Sequence, residues 1–547
     1  MNATGPSAAV GRLATCTLAA AVAVVIGSWL LVTPPNAGPD ESGHIIRGVA
    51  VVEGTPGLAK IEAPAWVVFP DIGCYALYSE RPASCAPIGD EPDVEIALVT
   101  RALDYPIWGH VLPGAAMEVS SPSTSPYLPR LASALLPALL VISGLLAARR
   151  RSPLAGALAL LALTPMAWFA FAVVNPSGLA LAGAFAAWSG LLFVPWTAGA
   201  ARGGWSPRHE WLVVAGIAAA MLPRRDSIFW AATVVVAGCI ATDTSVFERL
   251  RRLRTGPLAV LVVATFAAAW WAFDNGRQTI GLFGLSALIV ATHDVWHRLR
   301  ENLTGGRRYL VDGGAVAALV GVAVGLVVTR DGGYDVDLLG TIIGETGSNL
   351  LEAVGAVGTL DARIPLWTLL LYAGVVVSIG VASFAGATGS RERRPAWTGI
   401  GVLGAAIVAA WVLEMARGNT TGTYWQGRYS LPLLMGVPML FGLSLVDRLR
   451  RATQQWLGPV IASIGALVSI VVFVVAVRRW GVGTNGSWNP RAWDTYGAPV
   501  STTLLIMVHG SGVAALAWAA TTRHTTDAER SEMTSSQLDD DPSAASD

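Results

Sequence analysis

The sequence predicts an all-α, polytopic membrane protein. Hydrophobic residues make up 53% of the chain and charged residues 14%, with a mean hydropathy of +0.54, whereas soluble domains carry roughly 25% charge. Apolar runs also recur along nearly the whole length, at or near the roughly 20 residues needed to cross a hydrocarbon core. Leu18 to Val32, Leu154 to Val174, Leu258 to Phe273, Val316 to Val328 and Val460 to Val477 are examples.

Candidate spans start near residues 13, 128, 153, 176, 210, 226, 257, 279, 311, 365, 397, 429, 457 and 501. The short segments 210–222 and 279–293 suit broken or re-entrant helices as well as spans, so the expectation is a bundle of about 12–14 transmembrane helices. Residues 1–522 read as one transmembrane domain. Residues 523–547 are polar and acidic, ending in Asp539-Asp540-Asp541 and a Ser/Ala-rich terminus, the composition of a disordered tail.

Charge sets the expected sidedness. The formal net charge is zero, from 37 Lys plus Arg against 37 Asp plus Glu, which implies no global field toward nucleic acid. Arginine clusters at 149–151, 249–254, 298–308, 391–394 and 448–451 fall in alternate loops, as cytoplasmic loops do. Both termini are therefore assigned to the cytoplasm of a plasma-membrane protein, and segments 34–126, 329–364 and 478–500 to the outside. The first run reads as a retained signal anchor, because no small-residue cleavage site precedes its Pro-rich exit.

Within the outer segments, Glu41 to Glu53 reads as a short amphipathic helix ended by Gly54, with Asp40 at its N-cap. Asp40, His44 and Arg47 share one face, and Ile45, Val49 and Val52 the other, the pattern of a helix lying on the outer membrane surface. The rest of the first outer segment, rich in Pro and Gly, predicts irregular chain with short helices. Leu338 to Val357 predicts a second surface-lying helix, the wall or lid of a groove. Cys74 and Cys85 share the outer segment, where an oxidising compartment lets them pair, while Cys16 and Cys239 sit in apolar runs as small hydrophobes.

The chemistry centres on the exit of the first span, Pro34-Pro35-Asn36-Ala37-Gly38-Pro39-Asp40-Glu41-Ser42-Gly43-His44. Ionisable groups at a bilayer boundary are costly to desolvate and tend to be functional. An enzyme acting on sugars outside the membrane has no nucleotide pool, so its donor is a polyprenyl phosphate. It needs a carboxylate to deprotonate the acceptor, cations for the leaving phosphate and a groove for the lipid. Asp40 and Glu41 are the catalytic candidates, Asp40 preferred by helix phase. The structural alternative has Asp40 merely capping the helix and Glu41 paired with an arginine.

Arg224 and Arg225, after Leu222-Pro223, and Arg428 with Tyr429, in Gln426-Gly427-Arg428-Tyr429, lie at outer ends of spans against the positive-inside trend. Guanidinium offers phosphate a bidentate fork that keeps its charge. His44 and Arg47 complete the substrate-binding candidates. A divalent metal ion held by Asp40 and His44 competes with a plain hydrogen-bonding role for the histidine. Arg478 and Arg479 suit snorkelling, Tyr424, Trp425, Trp480, Trp488 and Trp493 an interface belt, and Asn175-Pro176-Ser177-Gly178 a tight turn.

Taken in order, the 34–44 exit, the Cys74-Tyr75-Ala76 and Pro82-Ala83-Ser84-Cys85 pair, Asn175-Pro176-Ser177-Gly178, Gly358 to Pro365 and Gln426-Gly427-Arg428-Tyr429-Ser430-Leu431-Pro432 resemble the bacterial membrane proteins of domain-of-unknown-function family 2142, in its actinobacterial form. That family looks like a branch of the glycosyltransferase C superfamily. The resemblance implies a GT-C-like helical bundle and an inverting glycosyltransferase that moves a sugar from a polyprenyl-phosphate donor to an envelope glycan, lipid or protein on the extracytoplasmic side, with Asp40 as base. One departure is Tyr105-Pro106-Ile107-Trp108, where the family carries Tyr-Pro-Pro followed by aromatics. The competing classes are a transporter or flippase of envelope lipids and an inactive scaffold that binds lipid without turnover. Transport predicts charges at the bilayer midplane and a repeat, whereas here charges gather at span ends.

Overall fold

The computed structural model describes residues 6–68, 73–76, 78–86, 94–194, 206–274, 276–303, 336–417, 425–493 and 498–522. The span expected near 311, the acidic tail, Tyr424 and part of the first outer segment lie outside them. Among the described residues, ten helices are long and apolar enough to cross a membrane, or twelve if each of two bent helix pairs is one span. The all-α polytopic expectation is met.

The chain opens with α1 (Pro6–Val32), then α2 (Glu41–Val52), the strands β1 (Lys60–Pro64) and β2 (Glu95–Val99), and the short helices α3 (Gly73–Ala76) and α4 (Val111–Met117) of the first outer segment. The strands pair antiparallel, Lys60 opposite Val99 and Pro64 opposite Glu95. This hairpin-like ribbon stands where irregular chain was expected. Its alternation covers only five residues per strand, too short to stand out among prolines and glycines.

The centre of the bundle is α5 (Leu128–Arg151), α6 (Pro153–Ala162), α7 (Pro165–Ala172) and α8 (Pro176–Phe193). Three of these begin with the same device, a capping residue followed by proline at the first helical position. Ser152 Oγ accepts from Ala155 N–H, Thr164 Oγ from Ala167 N–H and Asn175 Oδ1 from Ser177 N–H. Proline's missing N–H costs nothing there, and its fixed φ suits the helix. The caps cut one apolar run into pieces, with α6 and α7 bent by 67°. Polar groups freed at that break find partners: Tyr372 Oη–H donates to the Leu161 carbonyl and Thr164 Oγ–H to the Ala353 carbonyl.

Further along are α9 (Pro207–Met221), α10 (Ser227–Thr242), α11 (Val246–Arg252), α12 (Thr255–Asp274) and α13 (Arg277–Asn302). The pair α10 and α11 is bent by 96°. The second outer segment forms two short helices, α14 (Val336–Gly344) and α15 (Thr346–Gly355), in place of the single one expected. The last helices are α16 (Leu366–Ala385), α17 (Ser390–Arg417), α18 (Gly427–Leu434), α19 (Gly436–Arg448), α20 (Arg451–Val482) and α21 (Thr502–Thr521). α6, α7, α8, α18 and α19 are almost wholly buried. Their apolar side chains, Leu158, Phe169, Phe185, Trp188 and Leu440 among them, form one continuous core.

Two locks hold the outer segments over that core. Cys74 and Cys85 form the expected disulfide. Arg479, at the end of α20, does not snorkel: it is buried, pairs with Asp361 at 2.6 Å, and donates to the carbonyls of Tyr75, Tyr78 and Arg81. Thr359 Oγ–H adds a bond to the Ala76 carbonyl. Arg479 thus ties the disulfide loop to the Gly358–Pro365 turn, whose Gly358 and Leu360 both have positive φ.

Candidate active site

The exit of α1 carries two residues in the left-handed region, Asn36 (φ 57°) and Asp40 (φ 56°), a conformation that Asn and Asp adopt more readily than most side chains. Glu41 turns inward. Its two oxygens accept from Arg130 Nε and Nη2 at 2.7 Å each, and further bonds come from the backbone N–H of Gly38 and of Val174. Arg130 also donates to the carbonyls of Leu30, Thr33 and Pro34. Asn175 completes the clamp from α8, its Nδ2 donating to the Pro39 carbonyl. Glu41 therefore stands where the structural alternative put it, paired with an arginine, and the turn at 175–178 is brought to the carboxylates.

This clamp pushes Asp40 outward. Its side chain makes no capping bond, so the capping alternative does not describe it. The carboxylate is 65% exposed and lies 3.4 Å from Arg428 Nη2, whose own side chain is 2% exposed. Arg428 is placed by Gly427: a Cβ there would fall 2.0 Å from the Asn349 carbonyl oxygen, so only glycine lets α18 press against α15. Glu352 of α15 accepts from Gly427 N–H. Burial raises the Glu352 pKa, partly offset by that bond and by Arg363 and Arg428.

Arg224 enters from the turn between α9 and α10. It is held by Asp226 at 2.9 Å and donates to Ser177 Oγ at 2.8 Å. Burial works against its charge, yet Asp226 outweighs that penalty and its pKa stands well above the ordinary value. Its guanidinium lies 4.5 Å from the centroid of the Tyr429 ring and 5.6 Å from that of Tyr105, and Arg428 also faces Tyr429, at 5.0 Å. Two guanidinium groups thus share one aromatic ring. Among the described residues, Arg428 Nε and Nη1 have no hydrogen-bond partner, although buried. Arg225 lies apart, paired with Asp104 near the surface.

The α2 helix forms as expected but does not lie on a surface. Ile45, Ile46, Val49 and Ala50 pack with Ile61, Leu98, Met117 and Val174 in a small core of the outer segment. The opposite face is covered by α4, approached so closely that a Cβ on Gly114 would sit 2.2 Å from the Gly48 carbonyl oxygen. Consequently His44 and Arg47 are buried. His44 Nδ1 lies 3.1 Å from His110 Nε2, and His110 Nδ1 lies 3.0 Å from the Pro106 carbonyl. Arg47 Nη2 donates weakly to the carbonyls of Leu103 and Tyr105 at 3.5 Å. Asp40 turns to Arg428 and His44 to His110, so the two expected ion ligands do not form a pair. Among the described residues no group of three or more His, Cys, Asp or Glu could hold a metal ion.

Sequence reasoning missed Arg130, His110 and Asp226, and read Ser177 only as part of a turn. Arg130 carried a signal, a lone arginine in the first turn of an apolar span, and Asp226 another, two residues after Arg224. Two small clefts lie near the cluster. One is lined by Thr346, Asn349, Leu350, Trp411, Trp425 and Ser430. The other is lined by Trp108, Met221, Ile228 and Trp271 together with Arg224 and Arg225.

Comparison with known proteins gives a family match over part of the chain and a distant similarity to two solved structures. Residues 111–329 match the family described as "Predicted membrane protein (DUF2142)", in agreement with the resemblance drawn from the motifs. No curated protein matches. The crystal structure of ArnT from Cupriavidus metallidurans bound to undecaprenyl phosphate is 14% identical, with 93% of this chain and 77% of that one covered and a TM-score of 0.40. For the apo state of the same protein the figures are 17%, 94%, 78% and 0.36.

Proposed function

We propose that this chain is an inverting membrane glycosyltransferase of the GT-C type, moving a sugar from a polyprenyl phosphate to a hydroxyl of an envelope glycan, lipid or protein. The carrying observation is the meeting of an exposed carboxylate, Asp40, with a buried guanidinium, Arg428, that keeps two N–H-bearing nitrogens unpartnered among the described residues. Asp40 takes the proton of the acceptor hydroxyl. The oxygen then attacks the anomeric carbon from the face opposite the phosphate, and the departing electron pair passes to a phosphate oxygen. Arg428 and Arg224 meet the growing negative charge there, in a site where burial strengthens the interaction. Glu41 is a positioning residue that holds Asp40 at the rim.

A small cleft lined by Met221, Ile228 and Trp271 reaches Arg224, a place for the phosphate end of a lipid donor. The Cys74–Cys85 pair supports an oxidising compartment for the loop that carries it, in keeping with the proposed extracytoplasmic side for the chemistry. The test is transfer by protein in lipid nanodiscs, supplied with polyprenyl-phosphate sugars and membrane glycan acceptors, read as release of free polyprenyl phosphate. Asp40→Asn should abolish it while the protein still inserts and folds. A turning-over Asp40→Asn enzyme removes Asp40 from the chemistry. Lipid translocation without bond cleavage would favour the transporter class.

A further inference from the structure

Beside the arginine cluster, a chain of three buried groups ends in an unmet acceptor. The Pro106 oxygen can only accept, so its 3.0 Å contact fixes a proton on His110 Nδ1. Burial brings the His110 pKa down to about 4; the bond to Pro106 opposes the shift and Arg47 adds to it. The ring is therefore neutral near pH 7, and its Nε2 carries a lone pair. His44 Nδ1, 3.1 Å away, must donate to it. A His44 ring protonated at Nδ1 leaves Nε2 bare. Burial first, then His110, Arg224 and Arg428, lowers the His44 pKa well below the ordinary value and keeps the ring neutral.

His44 Nε2 is fully buried and has no partner among the described residues. Leaving such an acceptor unmet is costly, and the cost is recovered when a ligand brings a donor. A fully ionised phosphate or a carboxylate offers no proton to it. A sugar hydroxyl does. We propose that His44 Nε2 receives a hydroxyl of the transferred sugar, with His110 and the Pro106 carbonyl setting its tautomer, so that the site reads a polyol next to the phosphate held by Arg224 and Arg428. This rests on the glycosyl-transfer reading above and names what recognises the sugar.

Two measurements test it. In wild-type protein labelled with ¹⁵N-histidine, the imidazole shifts at pH 7 should report neutral Nδ1–H tautomers for both His44 and His110; a His44 ring protonated at Nε2 overturns the proposal, and no variant is needed. In nanodiscs, binding is compared for undecaprenyl phosphate and for the same lipid bearing mannose, glucose or arabinose. At least one glycosylated lipid should bind wild type more tightly than the bare one. His44→Phe should weaken that lipid roughly tenfold or more while leaving the bare lipid unchanged, and His44→Asn, which restores an acceptor oxygen, should recover most of the loss. Equal weakening of both lipids, no weakening, or a wild type indifferent to every sugar overturns it. A wild type that binds neither lipid sinks the glycosyl-transfer reading instead, while the tautomer spectrum still decides His44.

Discussion

Glu41 and Arg130 are joined by two charge-assisted hydrogen bonds of 2.7 Å, with both side chains sealed from solvent. The adjacent acid, Asp40, points out of the same turn. Neighbouring carboxylates thus have opposite environments, one saturated and one open, and opposite environments assign different work. Removing one partner of a buried pair strands the other charge. Glu41→Gln should therefore destabilise the protein by about 3–5 kcal/mol, seen as a lower midpoint in thermal unfolding in detergent. A stability equal to wild type would refute the anchoring role.

Asp40 sits at φ 56° with an exposed carboxylate. A left-handed backbone costs a non-glycine residue on the order of 1 kcal/mol. Asp40→Gly should leave stability unchanged or raised by about that amount while lowering transfer at least ~100-fold, the scale of a lost general base. Loss of both fold and activity would mean that the side chain serves structure.

Gly427→Ala would place a methyl group 2.0 Å from the Asn349 oxygen and 2.5 Å from the Ala353 nitrogen, both backbone atoms. α18 must then back away from α15, carrying Arg428 with it. The expected result is a stability loss of about 1–3 kcal/mol together with a fall in turnover that adding substrate does not restore. Turnover assays alongside thermal melts check both.

His110 contributes a pH dependence of known sign. Its folded pKa is about 4, below the 6.5 of a free histidine, so the unfolded chain binds the proton first. Stability from this group is complete above pH 6.5 and is lost as pH falls toward 4, by about 3 kcal/mol in all. His44 acts in the same direction. The unfolding midpoint should drop from pH 7 to pH 4.5, and His110→Asn should flatten that slope.

Much of this architecture was legible in the chain. Membrane-length apolar runs and Pro-preceded starts announce spans because lipid demands that each segment satisfy its own backbone. The Asp40-Glu41 pair, Arg224 and Arg428 stood out because charge at a span end must be explained. What was hidden depends on contacts distant in sequence: Arg130 is 89 residues from Glu41, and His110 is 66 from His44. The α2 helix shows the limit most plainly. Its stripe of Ile45 and Val49 is as readily buried by a neighbouring hairpin and α4 as by a lipid surface, and periodicity cannot distinguish those two hosts.

The Arg479 latch has a mechanical meaning. One guanidinium holds three carbonyls of the disulfide loop and the carboxylate of Asp361, which makes the two outer segments a single stiff jaw. A stiff jaw does not lift to admit a long hydrocarbon tail. Under the proposed function, a polyprenyl donor would then slide in sideways from the leaflet, between helices, and leave by the same door.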